Sequence, residues 1–157
     1  MIAMHIVIAF LFRVSIYILF GWGLEILATA ISKVFIKGWN KDTKLLNGDV
    51  SVWMAPIYGL AIFFCFEPLH KIISFLPVYI RFTIWGFCFM GFEFLTGLVY
   101  DKVFGIRPWN YDNDDGNICG YTKWGLFCYW AFASFWLESL TVFLIYITPF
   151  VYKYFGY

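Results

Sequence analysis

Three polar side chains stand inside long apolar runs, where each could hold a proton, a cation or a hydrogen-bonding head group. They are Glu25 in GWGLEILATA, Tyr58 in SVWMAPIYGLAIFF and Glu93 in WGFCFMGFEFLTGLVY. A carboxylate in hydrocarbon costs about 2.5 to 3.5 kcal/mol on insertion scales, so each acid is expected to face other helices and find a partner or water. Gly21, Gly23 and Ala28 flank Glu25, and Gly86, Gly91 and Gly97 flank Glu93, which lets neighbouring backbones approach closely. Glu67, beside Pro68, is expected at the membrane surface in contact with water. Glu138 is expected to pair with Arg81 or Arg13.

The elements that must position these groups are membrane helices. Of 157 residues, 62% are hydrophobic and 25% aromatic, only 13% are charged, and the mean hydropathy is +0.76. A soluble chain of this length has too little interior to hide that much apolar surface. The fold class is therefore all-α: an integral membrane helical bundle of about four transmembrane helices, in a single domain over residues 1–157. A span of hydrocarbon about 30 Å thick takes about 20 apolar residues. Cutting at the polar clusters gives spans near 14–32, 52–66, 78–100 and 124–147, the first preceded by the apolar N-terminus and the last ended by Pro149. An amphipathic continuation follows the second span from Glu67 to Pro77.

Four spans put both termini on one side and the 33–50 and 101–123 loops on the other. Lys and Arg number four on the first side and seven, including Lys41 and Lys44, on the second. The positive-inside rule places the second side in the cytoplasm and the termini outside it. Aromatic belts fit both surfaces, with Trp39 and Trp109 toward the cytoplasm and Tyr146 and Tyr157 opposite. Glu25 lies eight residues before Lys33, and Glu93 eight before Asp101. At 1.5 Å per residue both carboxylates sit roughly 12 Å in from the cytoplasmic side, and Tyr58, counted from Asp49, roughly 13 Å.

No metal or cofactor is expected. The run DNDD from Asp112 to Asp115 fails the EF-hand pattern, with Gly116 at the fifth position and Asn117 at the sixth. His5 and His70 are far apart, and Cys65, Cys88, Cys119 and Cys128 have no paired spacing, so they read as buried free thiols. A net charge of +1 without a basic block excludes a nucleic-acid partner.

The ordered motifs GWGLE (Gly21 to Glu25), SVWMAPIYG (Ser51 to Gly59), EFLTG (Glu93 to Gly97), FGIRPWNY (Phe104 to Tyr111) and GNIC (Gly116 to Cys119), with Trp124 after them, resemble the transmembrane protein 229 family. They are equally similar to the bacterial CmpB group of ABC-transporter type membrane proteins. The likeness covers residues from about 13 to 140 and implies a multi-pass membrane protein of unassigned activity. The family's usual Trp-Asp-Tyr is here Trp109, Asn110, Tyr111, so that position supplies no carboxylate. The residues that carry the likeness, Glu25, Tyr58 and Glu93 with Arg107, Trp109, Asn110 and Tyr111 in the loop above, form the candidate ligand site. The loop is expected to fold down as a lid that brings the Arg107 guanidinium near the acids or toward a phosphate head group.

Three functions stay open. The first is a binding or transport-associated module for a small molecule or lipid head group, with membrane lipid and a homo-oligomer or another membrane subunit as partners, in the cell membrane. The second is a structural or assembly subunit whose acids only hold helices together. The third is a membrane-embedded lipid-modifying enzyme with Glu93 or Glu25 as general base. Against the enzyme stand the lack of a nucleophile-base motif and of a metal ligand set. The chain also has no phosphate-cradling loop: GFCFMG, from Gly86 to Gly91, continues with Phe92 and Glu93, so any ATPase would be another polypeptide.

Overall fold

The structure is a computed structural model and describes residues 2–38 and 47–154. Trp39, Lys41, Lys44 and Tyr157, used above for sidedness and belts, lie outside the described residues. Four helices account for most of the rest: α1 (Ile2–Lys37), α2 (Met54–Ile73), α3 (Val78–Phe104) and α4 (Leu126–Tyr154). Each is long and apolar enough to cross a membrane. A short antiparallel hairpin, β1 (Asn117–Ile118) and β2 (Thr122–Lys123), stands between α3 and α4 in sequence. The protein is all-helical with four membrane helices, as composition and segment length require.

Proline and glycine set the breaks. Pro77, at φ −54° and ψ 145°, turns the chain into α3. Gly105, at φ 65°, ends α3, and its N–H reaches the Asp101 carbonyl at 3.1 Å. Pro149, expected to end the last span, instead lies inside α4, which continues to Tyr154. Proline is tolerated in membrane helices because neighbouring groups satisfy the carbonyl it frees. The four cysteines are free, but all are exposed at the protein surface, which corrects the expectation of burial. Cys65, Cys88 and Cys128 lie on the apolar helices α2, α3 and α4.

The chain divides into two compact units, Met1–Phe66 with Phe150–Tyr157, and Glu67–Pro149. In the first, α1 meets the π-helical stretch Ile57–Phe66 of α2. Small residues make that contact possible: a Cβ at Gly59 would come within 2.8 Å of Val14 and 2.9 Å of Ile18. Tyr17, Ile62 and Phe66 fill the seam. The extended segment before α2 is tied to α1 by Thr29, whose Oγ1 accepts from the Asp49 N–H at 2.9 Å and donates to its carbonyl at 3.1 Å. Lys33 pairs with the Asp49 carboxylate beside it.

In the second unit, α4 buries a stripe of Ser134, Leu137, Thr141, Leu144 and Thr148, spaced alternately three and four residues apart as one helix face requires. Ring pairs fill the space between α3 and α4, with Phe82 against Phe135 at 6.1 Å, Phe87 against Phe127 at 4.9 Å and Phe89 against Trp130 at 5.4 Å between centroids. A Cβ at Gly86 would come within 2.6 Å of the Phe127 ring.

Candidate functional site

Glu93 projects from α3 into a set of neutral donors. Thr122 Oγ1 on β2 donates to Oε2 at 2.6 Å, Tyr111 Oη donates to Oε1 at 3.1 Å, and Trp130 Nε1 on α4 donates to Oε2 at 3.4 Å. Loop, strand and helix each contribute one group. Among the described residues, no hydrogen-bond donor to Glu93 carries a charge.

Residues 105–123 form a cap fastened beside this carboxylate. Gly97 leaves room for it: a Cβ there would come within 3.3 Å of both Trp109 and Tyr121. Trp109 Nε1 donates to the Tyr121 carbonyl at 2.7 Å, which binds the loop to the hairpin. The hairpin turn places Cys119 at φ 54° and Gly120 at φ 71°, and the Tyr121 N–H closes on the Ile118 carbonyl at 3.1 Å. Two successive left-handed residues match the twist of an antiparallel hairpin.

Asp101 is the hub of the cap. It accepts from Tyr121 Oη at 2.6 Å and Arg107 Nη2 at 3.1 Å, while Arg107 Nη1 donates to Asp112 at 2.8 Å. The hydrogen bond to Asp101 holds the Tyr121 phenol above its usual pKa range and raises that of the Arg107 guanidinium as well. Two cations lie over rings: Arg107 over Tyr121 at 5.1 Å and Lys123 over Tyr111 at 5.0 Å. Lys123 also binds Asp114 at 2.6 Å.

The same unit holds a second membrane carboxylate in a different environment. Glu138 is 6% exposed. Arg81 Nε donates to its Oε1 at 3.0 Å, Arg81 Nη2 to its Oε2 at 2.9 Å and Trp85 Nε1 to its Oε1 at 2.8 Å. His70 Nδ1 lies 3.4 Å from Oε1. Arg81 Nη1 also donates to the Leu76 carbonyl at 2.7 Å, just beyond the end of α2. Of the two partners expected for Glu138, Arg81 is the one found. Glu67, expected in contact with water, is only 4% exposed, because its side chain turns into the protein.

In the first unit, Tyr58 Oη donates to Glu25 Oε2 at 2.7 Å. Gly21, one turn before Glu25, lies against the Tyr58 ring, and a Cβ there would overlap it. The expected residues thus fall into three groups. Glu25 and Tyr58 bind each other, and Glu93 binds Tyr111. Arg107, Trp109 and Asn110 build the cap without donating to the Glu93 carboxylate. The guanidinium of Arg107 is committed to Asp101 and Asp112, and the Asn110 side chain accepts from the Asp112 N–H at 2.9 Å as a turn residue. Thr122, Trp130, Asp101 and Lys123 were not legible as site residues. Asp101 and Lys123 read as span boundaries, Trp130 as one aromatic among many, and Thr122 as loop.

Four apolar helices carrying partnered acids define a helical integral membrane protein. The chain matches the CmpB family, described as putative ABC-transporter type IV, over residues 10–156, and it belongs to that family. No curated protein and no solved structure matches it.

Proposed function

We propose that the protein is a transport-associated membrane module that binds a small cationic or zwitterionic molecule, or a lipid head group, at Glu93 beneath the 105–123 cap. The observation that carries this reading is the contrast in partners: Glu138 is matched by a guanidinium, whereas Glu93 has uncharged donors alone. A carboxylate held in place by neutral donors and not by a direct ion pair can attract a cation. Glu25 with Tyr58 is a second polar point of the same chemistry within its own unit. Four spans are few for a permease half, so transport would use a second copy or another membrane subunit, with any ATPase on a separate polypeptide. Its place on this reading is the cell membrane, and the sidedness of Lys and Arg supports termini outside the cytoplasm.

A second reading, a structural or assembly subunit, is favoured by the completeness of the Glu93 hydrogen bonds, which also fasten the cap to α3 and α4. Native mass spectrometry of the protein released from lipid separates the two. A defined adduct on wild type that is lost in Glu93→Gln is the expected result. No adduct on either form, with a changed oligomer or a less stable variant, would make Glu93 structural.

A further inference from the structure

The partners of Glu93 narrow the chemistry of its ligand. A carboxylate offers about four acceptor positions on its two oxygens. Tyr111, Thr122 and Trp130 fill three of them. A ligand rich in N–H donors would find few acceptors left. What remains plentiful is aromatic surface: Tyr111 and Trp130 touch the carboxylate, and Phe89, one turn before Glu93 on α3, stacks on Trp130 at an interplanar angle of 24°. A negative charge beside ring faces attracts a cation that needs no hydrogen bonds.

The seat for such a cation is already used by the protein itself. The ammonium of Lys123 lies over the Tyr111 ring, whose hydroxyl donates to Glu93. Lys123 is tethered there by Asp114, and both side chains reach solvent, at 28% and 42% exposure. Lys123 can therefore swing outward without disturbing the buried Thr122 beside it. We propose that the Glu93 site takes a quaternary ammonium group, which displaces the Lys123 ammonium from the face of the Tyr111 ring and lies there beside the carboxylate that the Tyr111 hydroxyl holds. This rests on the binding role proposed for Glu93 and adds the class of ligand and the built-in competitor. The same chemistry is offered by a free quaternary amine and by a phosphatidylcholine head group.

The test is calorimetric titration of the full chain in phosphatidylglycerol nanodiscs with tetramethylammonium and, separately, methylammonium. Lys123→Met removes the competitor and is expected to tighten tetramethylammonium binding by about three- to thirtyfold, the range of one cation–π contact. Tyr111→Leu in that background should weaken it by a similar factor, whereas Tyr111→Phe, which keeps the ring and loses only the hydroxyl, should retain it and also reports that the cap still folds. Repeating the titration in phosphatidylcholine nanodiscs identifies the source: competition by the bilayer marks a lipid head group, and unchanged affinity marks a free amine. Equal binding of both ions that Tyr111→Leu leaves intact and Glu93→Gln abolishes would overturn the quaternary class while leaving the binding role of Glu93 standing. Failure of wild type and Lys123→Met to bind either ion would overturn both.

Discussion

Glu138 and Glu93 are both carboxylates on membrane helices of one unit, both are held by hydrogen bonds, and they differ in charge balance. Glu138 has a guanidinium, an indole N–H and an imidazole nitrogen around it and is nearly sealed. Glu93 has two hydroxyls and an indole N–H and is only half-buried. A buried charge with a matched partner fixes structure, because the pair must stay together or leave one ion uncompensated. A charge fixed by neutral dipoles keeps its attraction for a cation. Glu138 thus belongs to the architecture, and Glu93 carries the recognition role proposed for it.

The largest expected effect is at the sealed site. Arg81→Ala strips the counter-charge from Glu138 and should cost about 3 to 5 kcal/mol in a reversible unfolding titration in mixed micelles; a loss well under 1 kcal/mol would erase the distinction between the acids. Next is Gly86→Ala, whose methyl must push Phe127 aside, for a loss of about 1 to 3 kcal/mol with no change in cation binding. Glu93→Gln keeps an acceptor for its donors and should cost only about 1 kcal/mol while removing the cation site. A collapse comparable to that of Arg81→Ala would move Glu93 into the structural class.

The cap supplies two finer tests. Donation to Asp101 holds the Tyr121 phenol above its ordinary range, so this bond contributes in full below pH of about 10 and is lost as pH climbs through the raised folded value. Hydrogen exchange of the cap amides should accelerate in that alkaline window, and Tyr121→Phe should abolish the step. Arg107→Gln breaks two exposed ion pairs and should have the smallest effect of the series on thermal unfolding, one that salt diminishes further.

The helices and two of the polar contacts were legible because their signals are local or additive. Apolar runs of spanning length gave four helices, and the depth count put Glu25, Tyr58 and Glu93 at one level, of which Tyr58 donates to Glu25. Arg81 emerged as a partner of Glu138 because few cations exist to neutralise a membrane acid. The cap resisted the same reasoning. Its fold depends on Gly97 admitting Trp109, on left-handed Cys119 and Gly120, and on Asp101 gathering Tyr121 and Arg107, none of which has a period or spacing of its own. Arg107 is expected near the acids or toward a phosphate head group, but its guanidinium binds Asp112 and Asp101, five and six residues away in sequence. Thr122 and Trp130 acquire a role only when hairpin and helix bring them to one carboxylate.

The most direct measurement sets the two acids side by side. Native mass spectra of wild type, Glu93→Gln and Glu138→Gln, recorded from identical membranes, should show a bound small molecule or lipid on wild type and on whatever folded fraction of Glu138→Gln survives, and none on Glu93→Gln. An adduct that persists on Glu93→Gln, or that vanishes only with Glu138→Gln, would contradict the division of roles between the two carboxylates.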